Sequence, residues 1–187
     1  MDLKDKVPPH NLDAEQATLG AILFDSAAIS EIATILRPDR FYSFQNQLIY
    51  EAMLSLYKQN VAIDMLSLIN ELTKQGKLEQ AGGNAYIADL TNTVATSANI
   101  NYYVDIILDQ ATRRDLIRLS SDVRASAFDE THNSKVLLEQ AEKKIFNLSE
   151  NNETSRIYGM KDVISSTIEI IDQRYKNYKA KKYDNNM

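Results

Sequence analysis

The sequence predicts an all-α protein, in which a compact helical globular domain is followed by a projecting helical hairpin and a separate linker helix. Its 187 residues include only five glycines and three prolines, too few for the frequent turns of a sandwich or barrel. Apolar residues recur instead at intervals of three and four, the spacing of amphipathic helices. The absence of cysteine removes disulfides and thiolate metal sites from consideration and fits a reducing compartment.

The charge and hydropathy of the chain argue against two classes of protein, those that bind nucleic acid over a basic surface and those that span a membrane. A formal net charge of −5 argues against a broadly basic surface that binds nucleic acid, because phosphate neutralisation needs clustered Lys and Arg. No apolar run approaches the roughly 20 residues that a membrane span needs, and the N-terminus lacks the apolar core of a signal peptide. We therefore expect a cytoplasmic protein that binds other proteins and no membrane.

Residues 1–98 are predicted to form the globular core. Asn11 or Asp13 can cap a first helix, and Ser26 can cap a second, which Pro38 ends. The next helix places its apolar residues on one face, namely Leu48, Ile49, Ala52, Met53 and Leu56. We expect the stretch from Leu36 to Tyr57 to be the packing centre, with these side chains inside: Phe41, Tyr42, Ile49, Ala52 and Met53.

A further helix and a short segment complete the predicted core. Asp64 precedes apolar residues at helical spacing, and Gly76 sits where a left-handed residue would end the helix. Gly82-Gly83 predicts a tight turn. In the segment that follows, Tyr86, Ile87 and Leu90 can face inward, and residues 91–98 are predicted to be a loop.

Residues 99–150 are predicted to form a long helix and a helical hairpin. No residue between Asn99 and Phe128 breaks a helix. The apolar stripe of this predicted helix is regular at first and then shifts in phase. We therefore expect one half of the helix to pack on the core and the other half to leave it. A polar turn precedes Ser134, a candidate cap. The helix beyond it carries the spacing of a coiled-coil seam, at Leu138, Ala141, Ile145 and Leu148.

The last part of the chain is predicted to be a linker followed by a helix whose apolar face has to pack against another surface. Residues 151–158 are predicted to be a linker, 159–180 an amphipathic helix and 181–187 a basic, polar tail. The stripe of the amphipathic helix, from Met160 to Tyr178, is separated from the core. We therefore expect the chain to be part of a longer protein.

The chain shows no pattern of a catalytic, cofactor or metal site. None of its glycines is followed by Lys-Ser or Lys-Thr, as a phosphate-binding loop requires. His10 and His132 are far apart and are interpreted as exposed loop residues, and Glu139 with Glu142 as a solvated face. The arginines at 113, 114 and 118 are predicted to pair on the helix surface with Asp109, Asp115 and Asp122. We expect no enzymatic activity from these 187 residues alone.

Several short motifs, in their order and spacing, closely resemble the N-terminal part of bacterial replicative DNA helicases of the DnaB family. The resemblance covers nearly the whole chain and rests on these motifs: Pro8-Pro9-His10-Asn11, Ala14-Glu15-Gln16, Leu19-Gly20-Ala21-Ile22, Phe41-Tyr42, Ile49-Tyr50-Glu51-Ala52-Met53, Ile63-Asp64, Gly82-Gly83 with Tyr86 and Leu90, Ala98-Asn99, Tyr102-Tyr103, Arg113-Arg114 with Leu116-Ile117, and Ala141-Glu142 with Ile145-Phe146. Three positions depart from the family pattern: Asn46 replaces a frequent histidine, Ser67 a usual threonine and Ala95 a common proline.

The resemblance implies a function in DNA replication and primosome assembly. This chain would be the helical collar of a hexameric, ATP-dependent helicase, assembled as a trimer of dimers, which also contacts primase and a helicase loader. A linker helix would join it to a RecA-like motor domain, which would bind ATP and Mg²⁺ and most of the single-stranded DNA.

Residue roles follow from the same resemblance. The seam residues Leu138, Ala141, Ile145 and Leu148 would form the hairpin and oligomer interface. The candidates for a surface that faces primase are Tyr86, Ile117 and Val123. The linker helix would contact the neighbouring subunit through Val163, Ile164, Ile168, Ile171 and Tyr175.

Two alternatives remain at this stage. The chain could be a helical adaptor or regulator without a motor, in which the last helix closes on its own domain. It could also be a helix-turn-helix DNA-binding protein, although its acidic balance and the lack of a basic recognition helix argue against this.

Overall fold

The prediction of an all-α protein is confirmed by a computed structural model, which describes residues 6–94, 96–129 and 133–149. Helices joined by turns make up these residues, and no strand occurs among them. The chain divides into two units, Met1–Leu137 and Leu138–Met187, and each is described by itself. The α-helices are α1 (Leu12–Phe24), α2 (Ile29–Ile32), α3 (Phe44–Lys58), α4 (Met65–Lys74), α5 (Gly83–Leu90), α6 (Ile100–Ala127) and α7 (residues 134–149).

Polar side chains cap α1 and the 3-10 turn that precedes α2. The Asn11 side chain accepts a hydrogen bond from the Ala14 backbone N–H at 2.9 Å, as predicted for α1. The cap predicted at Ser26 is wrong, because the Asp25 carboxylate accepts from the Ala27 N–H at 3.1 Å and caps the turn before α2, and α2 itself has no side-chain cap. A 3-10 turn, Ser26–Ala28, then leads into a helix of only four residues.

The interior is centred on α3, as predicted. Phe41, Ile49, Ala52 and Met53 are buried together with apolar residues from α1, α2, α4, α5 and α6. The Phe41 ring packs on the fully buried Tyr50 ring at a centroid distance of 5.1 Å. Tyr42 does not join this packing centre: the aromatic pair lies in extended chain just before α3, so its second ring faces partly to solvent.

Both ends of α4 follow their predicted chemistry. The Asp64 carboxylate accepts from the Ser67 N–H at 2.8 Å, and the Ser67 hydroxyl accepts from the Asp64 N–H at 2.9 Å, which is a capping box. At the other end Gly76 has a φ of +67°, and the Lys77 N–H bonds back to the Leu72 carbonyl at 2.9 Å. Serine at position 67 thus keeps the cap that threonine could supply.

The predicted segment after Gly82-Gly83 is helical and packs closely on α1. Gly82 precedes α5 in the left-handed region, with a φ of +94°. Ile87 and Leu90 are buried as predicted, whereas Tyr86 is only half-buried. At Gly20 in α1, a Cβ would lie 2.5 Å from the Leu90 carbonyl oxygen and closer still to the Thr93 hydroxyl. Only glycine permits this approach of α1 to the end of α5.

The long helix α6 changes character along its 28 residues. Its buried residues are Ile100, Val104, Ile107, Ala111 and Arg114, and beyond Arg114 every side chain as far as residue 127 is half-buried or exposed. The prediction that one half of the helix packs on the core and the other half does not is therefore confirmed.

The last described helix is α7. Its cap is Asn133, whose side chain accepts from the Lys135 N–H at 2.9 Å, and not the predicted Ser134. The pairing of α6 with α7 as a hairpin and the boundaries at residues 98 and 150 stay predictions. The linker, the linker helix and the tail lie outside the described residues, as do Ala95 and His132.

Candidate protein interface and the buried network beside it

A buried carboxylate connects α1 to the start of α3. Glu15 is 2% exposed. One of its oxygens accepts from the Tyr42 backbone N–H at 2.6 Å, and the other accepts from the Ser43 N–H at 3.2 Å and from the Asn46 side-chain amide at 2.8 Å. A buried carboxylate is tolerable only with such donors, so α1 and α3 are held together by their polar groups as well as by apolar contact.

Asn46 extends this network to α5. Its side chain is fully buried, and while its nitrogen donates to Glu15, its oxygen accepts from the Tyr86 hydroxyl at 2.7 Å. The Tyr86 hydroxyl accepts in turn from the Gln16 side chain at 3.3 Å. An amide supplies one donor and one acceptor here, so Asn46 fits a position where a neutral histidine could do the same.

Arg114 differs from the sequence prediction for the arginine cluster. Arg113 pairs with Asp109 at 2.8 Å and Arg118 with Asp115 at 3.6 Å, as predicted for a helix surface. Arg114 is buried and donates to the Pro9 carbonyl at 2.8 Å and to the Arg40 carbonyl. The prediction was wrong for this residue, because position 114 continues the buried stripe of α6 three residues after Ala111.

Charged and aromatic groups surround the Arg114 guanidinium. Burial lowers its pKa, and the negative charge of Glu15 opposes that effect. The Tyr42 ring centroid lies 5.8 Å from the guanidinium carbon, and the His10 ring stacks on Tyr42 with centroids 4.3 Å apart. His10 is half-buried, so its interpretation as an exposed residue was wrong.

The surface of the second half of α6 and of α7 is rich in exposed apolar side chains. We call this set the apolar α6/α7 residues, and it comprises Leu116, Ile117, Phe128, Val136, Leu138, Ile145 and Phe146. Large exposed apolar side chains are typical of protein interfaces where they form a patch. The exposed apolar residues of α6 and, considered separately, those of α7 are the candidate interface residues of the described part of the chain.

The predicted interface residues occupy different environments. Ile117 is 51% exposed, and Val123 is half-buried. Six residues of α-helix turn through about 600°, which leaves them roughly 120° apart around α6. Tyr86 is tied to Asn46 by its hydroxyl. The role of these three residues toward primase stays a prediction.

The predicted seam lies on α7. Leu138 and Ile145 are 61% and 55% exposed, whereas Ala141 and Leu148 are half-buried. Their part in an oligomer interface stays a prediction. The predicted contact residues of the linker helix, from Val163 to Tyr175, lie outside the described residues.

Metal binding and membrane crossing find no support in the described ranges. No cluster of three or more His, Asp or Glu side chains there is arranged to hold a metal ion. Glu139 and Glu142 are both exposed on α7, in agreement with a solvated face. None of the described helices has the length and apolar character needed to cross a membrane.

The network unites motifs that are scattered along the sequence. Glu15, Asn46 and Arg114 join Pro8-Pro9-His10, the Phe41-Tyr42 pair and the α6 arginines around one buried site. The sequence identified Asn46 as a position of interest, but it did not identify Glu15 as the hydrogen-bond partner of Asn46 or Arg114 as a buried residue. The 4-3-4-3 spacing of the buried stripe on α6 was the signal that could have identified Arg114.

Comparisons with known proteins assign the chain to a family. A family model described as the DnaB-like helicase N terminal domain matches residues 7–109. The replicative DNA helicase DnaB of Treponema pallidum is 36% identical over 176 residues, which cover 94% of this chain and 40% of that protein. The chain thus spans well under half the length of this relative.

Solved structures show the same fold. The N-terminal domain of DnaB helicase from Mycobacterium tuberculosis superimposes with a TM-score of 0.70 at 32% identity, covering 76% of this chain and 99% of that one. The N-terminal domain of DnaB helicase from Helicobacter pylori, which was described together with its interactions with primase, has a TM-score of 0.53 at 24% identity and covers 62% of this chain and 89% of its own. The chain belongs to the family of DnaB-like helicase N-terminal domains.

Proposed function

We propose that this chain is the collar region of a hexameric replicative DNA helicase, and that it assembles with copies of itself and docks primase. The observation that carries the proposal is the concentration of exposed apolar side chains on the second half of α6 and on α7. The first half of α6 is anchored in the core, so the helix presents the second half from a fixed base. Family membership supplies the context of DNA replication.

The remaining roles belong to the longer protein of which this chain would be a part. The full-length helicase would bind ATP and Mg²⁺ in a motor domain, bind single-stranded DNA mainly there, and act in the cytoplasm, where a loader would place it on DNA. Sequencing the gene beyond Met187 tests this: a downstream Gly-x-x-x-x-Gly-Lys-Thr/Ser motif is expected, and a stop codon in that place would contradict it.

Primase binding tests the docking role. The affinity of the 187-residue chain for the primase encoded in the same genome is measured by calorimetry for the wild type, Ile117→Asp and Val123→Asp. A charge placed in an apolar contact loses the burial energy and adds a desolvation cost, so we expect affinity to fall about tenfold or more, which corresponds to about 1.4 kcal/mol.

The matched control is Leu66→Asp. Leu66 is an exposed apolar residue of α4, outside the apolar α6/α7 residues, and its replacement should leave primase affinity unchanged. Unchanged affinity in folded Ile117→Asp and Val123→Asp would remove the docking role from the second half of α6.

A further inference from the structure

The most unusual side chain outside the candidate interface is Arg114. It is the last buried residue of α6, at the point where the helix passes from the core to the half that carries exposed apolar residues. A buried arginine requires several acceptors or a countercharge. Arg114 has both, since the Pro9 and Arg40 carbonyls accept from its guanidinium and Glu15 lies within its electrostatic reach.

The segment that Arg114 holds is also held by its neighbour on α6. The Asp115 carboxylate accepts from Arg40 at 2.6 Å, so two successive α6 residues bind the turn Pro38–Arg40, one through a carbonyl and one through a side chain. Just beyond this turn, Glu15 accepts from the backbone N–H groups of Tyr42 and Ser43. The segment from this turn to Ser43 is therefore fastened to α1 and α6 together.

The contacts of Arg114 and Asp115 fix the orientation of α6 at one point along its length. Apolar packing at Ile100, Val104 and Ile107 is non-directional and permits small rotations of a helix. A planar guanidinium with two carbonyl acceptors permits few, because its donors are rigidly arranged. The N-terminal segment is fixed in the same contact, through Pro9 and through the stacking of His10 on Tyr42.

We propose that Arg114 is a positioning residue that sets the direction in which the second half of α6 leaves the core, with Glu15 and the Pro38–Arg40 turn as its support. The inference rests on the proposed function for its biological meaning, since it is the exposed apolar residues on the second half of α6, Leu116 and Ile117, that would be aimed at a partner. Its physical content, the direction of α6, is independent of any partner.

The absence of cysteine permits a direct distance measurement. Spin labels at Lys74→Cys on α4 and Ser121→Cys on α6, both exposed positions, report the direction of the helix by double electron–electron resonance. Labelled chains are diluted with unlabelled protein so that only distances within one chain are observed. A 20° swing about Arg114, the size at which bends count as kinks, would move residue 121, about 10 Å further along the helix, by about 4 Å.

Three variants separate positioning from stability. Arg114→Met, which keeps the length of the side chain but has no donors, should broaden or shift the distance distribution by several ångströms. Arg114→Lys keeps the charge near Glu15 but lacks the planar fork, and it should give an intermediate width. Arg113→Met removes only an exposed ion pair with Asp109 and should match the wild type.

The distance between a reference pair within the core, Ser30→Cys and Lys74→Cys, should be the same in all variants, which a general loosening of the domain would not allow. If Arg114→Met fails to unfold cooperatively, Arg114→Lys decides. A wild-type distribution in the folded Arg114 variants would overturn the proposal. Light scattering and primase binding of the same proteins are read separately, so failure of the proposed function would not be mistaken for failure of this inference.

Discussion

At the scale of single residues, the hydrogen bonds of Glu15 explain why a carboxylate can lie inside a helical domain. Three N–H donors satisfy its oxygens, and one of the donors, the Asn46 side chain, also accepts a hydrogen bond from the Tyr86 hydroxyl. No sequence pattern pairs residues 31 and 40 positions apart, so this network could not be derived from helical spacing. The position of Asn46 was identified from the resemblance alone, and its partners came from the structure.

Removal of the Tyr86 hydroxyl tests the network. Tyr86→Phe leaves the buried Asn46 oxygen without its donor, and we expect the free energy of unfolding to fall by about 1 kcal/mol. The measurement is urea denaturation followed by circular dichroism. Tyr57→Phe, at an exposed position on α3, is the matched control and should be neutral. A neutral Tyr86→Phe would show that the hydrogen bond to Asn46 contributes nothing.

Gly20→Ala tests the contact between α1 and the end of α5. Alanine is favoured over glycine in a helix by about 1 kcal/mol, but its Cβ would collide with the Leu90 carbonyl oxygen, a backbone atom that cannot move aside cheaply. We expect the clash to dominate and lower the free energy of unfolding by about 1–3 kcal/mol. A rise in the melting temperature would instead mean that α1 and α5 are free to separate.

At the scale of elements, the end of a helix was predictable where only one residue could cap it. It was ambiguous where two neighbouring residues could both act as the cap. Asp64 and Gly76 bracket α4 as predicted. The caps of the 3-10 turn before α2 and of α7 each lie one residue before the predicted serine, because Asp25 and Asn133 offer an alternative acceptor. The division of α6 was visible in the phase shift of its apolar stripe, whereas the inward turn of Arg114 was hidden by the charge pattern around it.

The α4 cap predicts a pH dependence. Hydrogen bonds, first of all from the Ser67 backbone N–H, lower the pKa of Asp64 below its usual value. The cap therefore contributes fully above the unfolded carboxyl pKa of about 3.9 and is lost as the pH falls through the lower folded value. Asp64→Ala should reduce the free energy of unfolding by about 1 kcal/mol at neutral pH, and the difference from wild type should shrink in acid.

Asp64→Asn is the control for this titration. Its amide oxygen can still accept from the Ser67 N–H but does not ionise, so the cost should be smaller and nearly independent of pH. Urea midpoints measured at neutral pH and in acid compare the variants. A wild-type advantage over Asp64→Ala that is equal at both pH values would show that the Asp64 charge takes no part in the cap.

At the scale of the whole molecule, the helical class and the core face of α3 followed from the sequence because helical spacing is a local property, and the family followed from the resemblance of its ordered motifs. Tyr42 was misplaced because a pair of adjacent aromatic residues does not reveal which ring faces inward. The hairpin, the seam and the linker-helix contacts depend on how separate elements meet, which periodicity does not specify, and they stay predictions. The exposed apolar residues of α6 and of α7 are the basis of the proposed contacts with other proteins.

The most direct test of this account is the molar mass of the 187-residue chain, measured by light scattering across a concentration series. The molar mass of the wild-type protein is expected to rise above the 21.2 kDa of one chain as the protein concentration increases. The Leu138→Asp/Ile145→Asp variant should remain near 21.2 kDa over the same range with its helix content intact, whereas Leu66→Asp should behave as wild type. If the Leu138→Asp/Ile145→Asp variant associates as strongly as wild type, the apolar surface of α7 is not the self-association site and the account is contradicted.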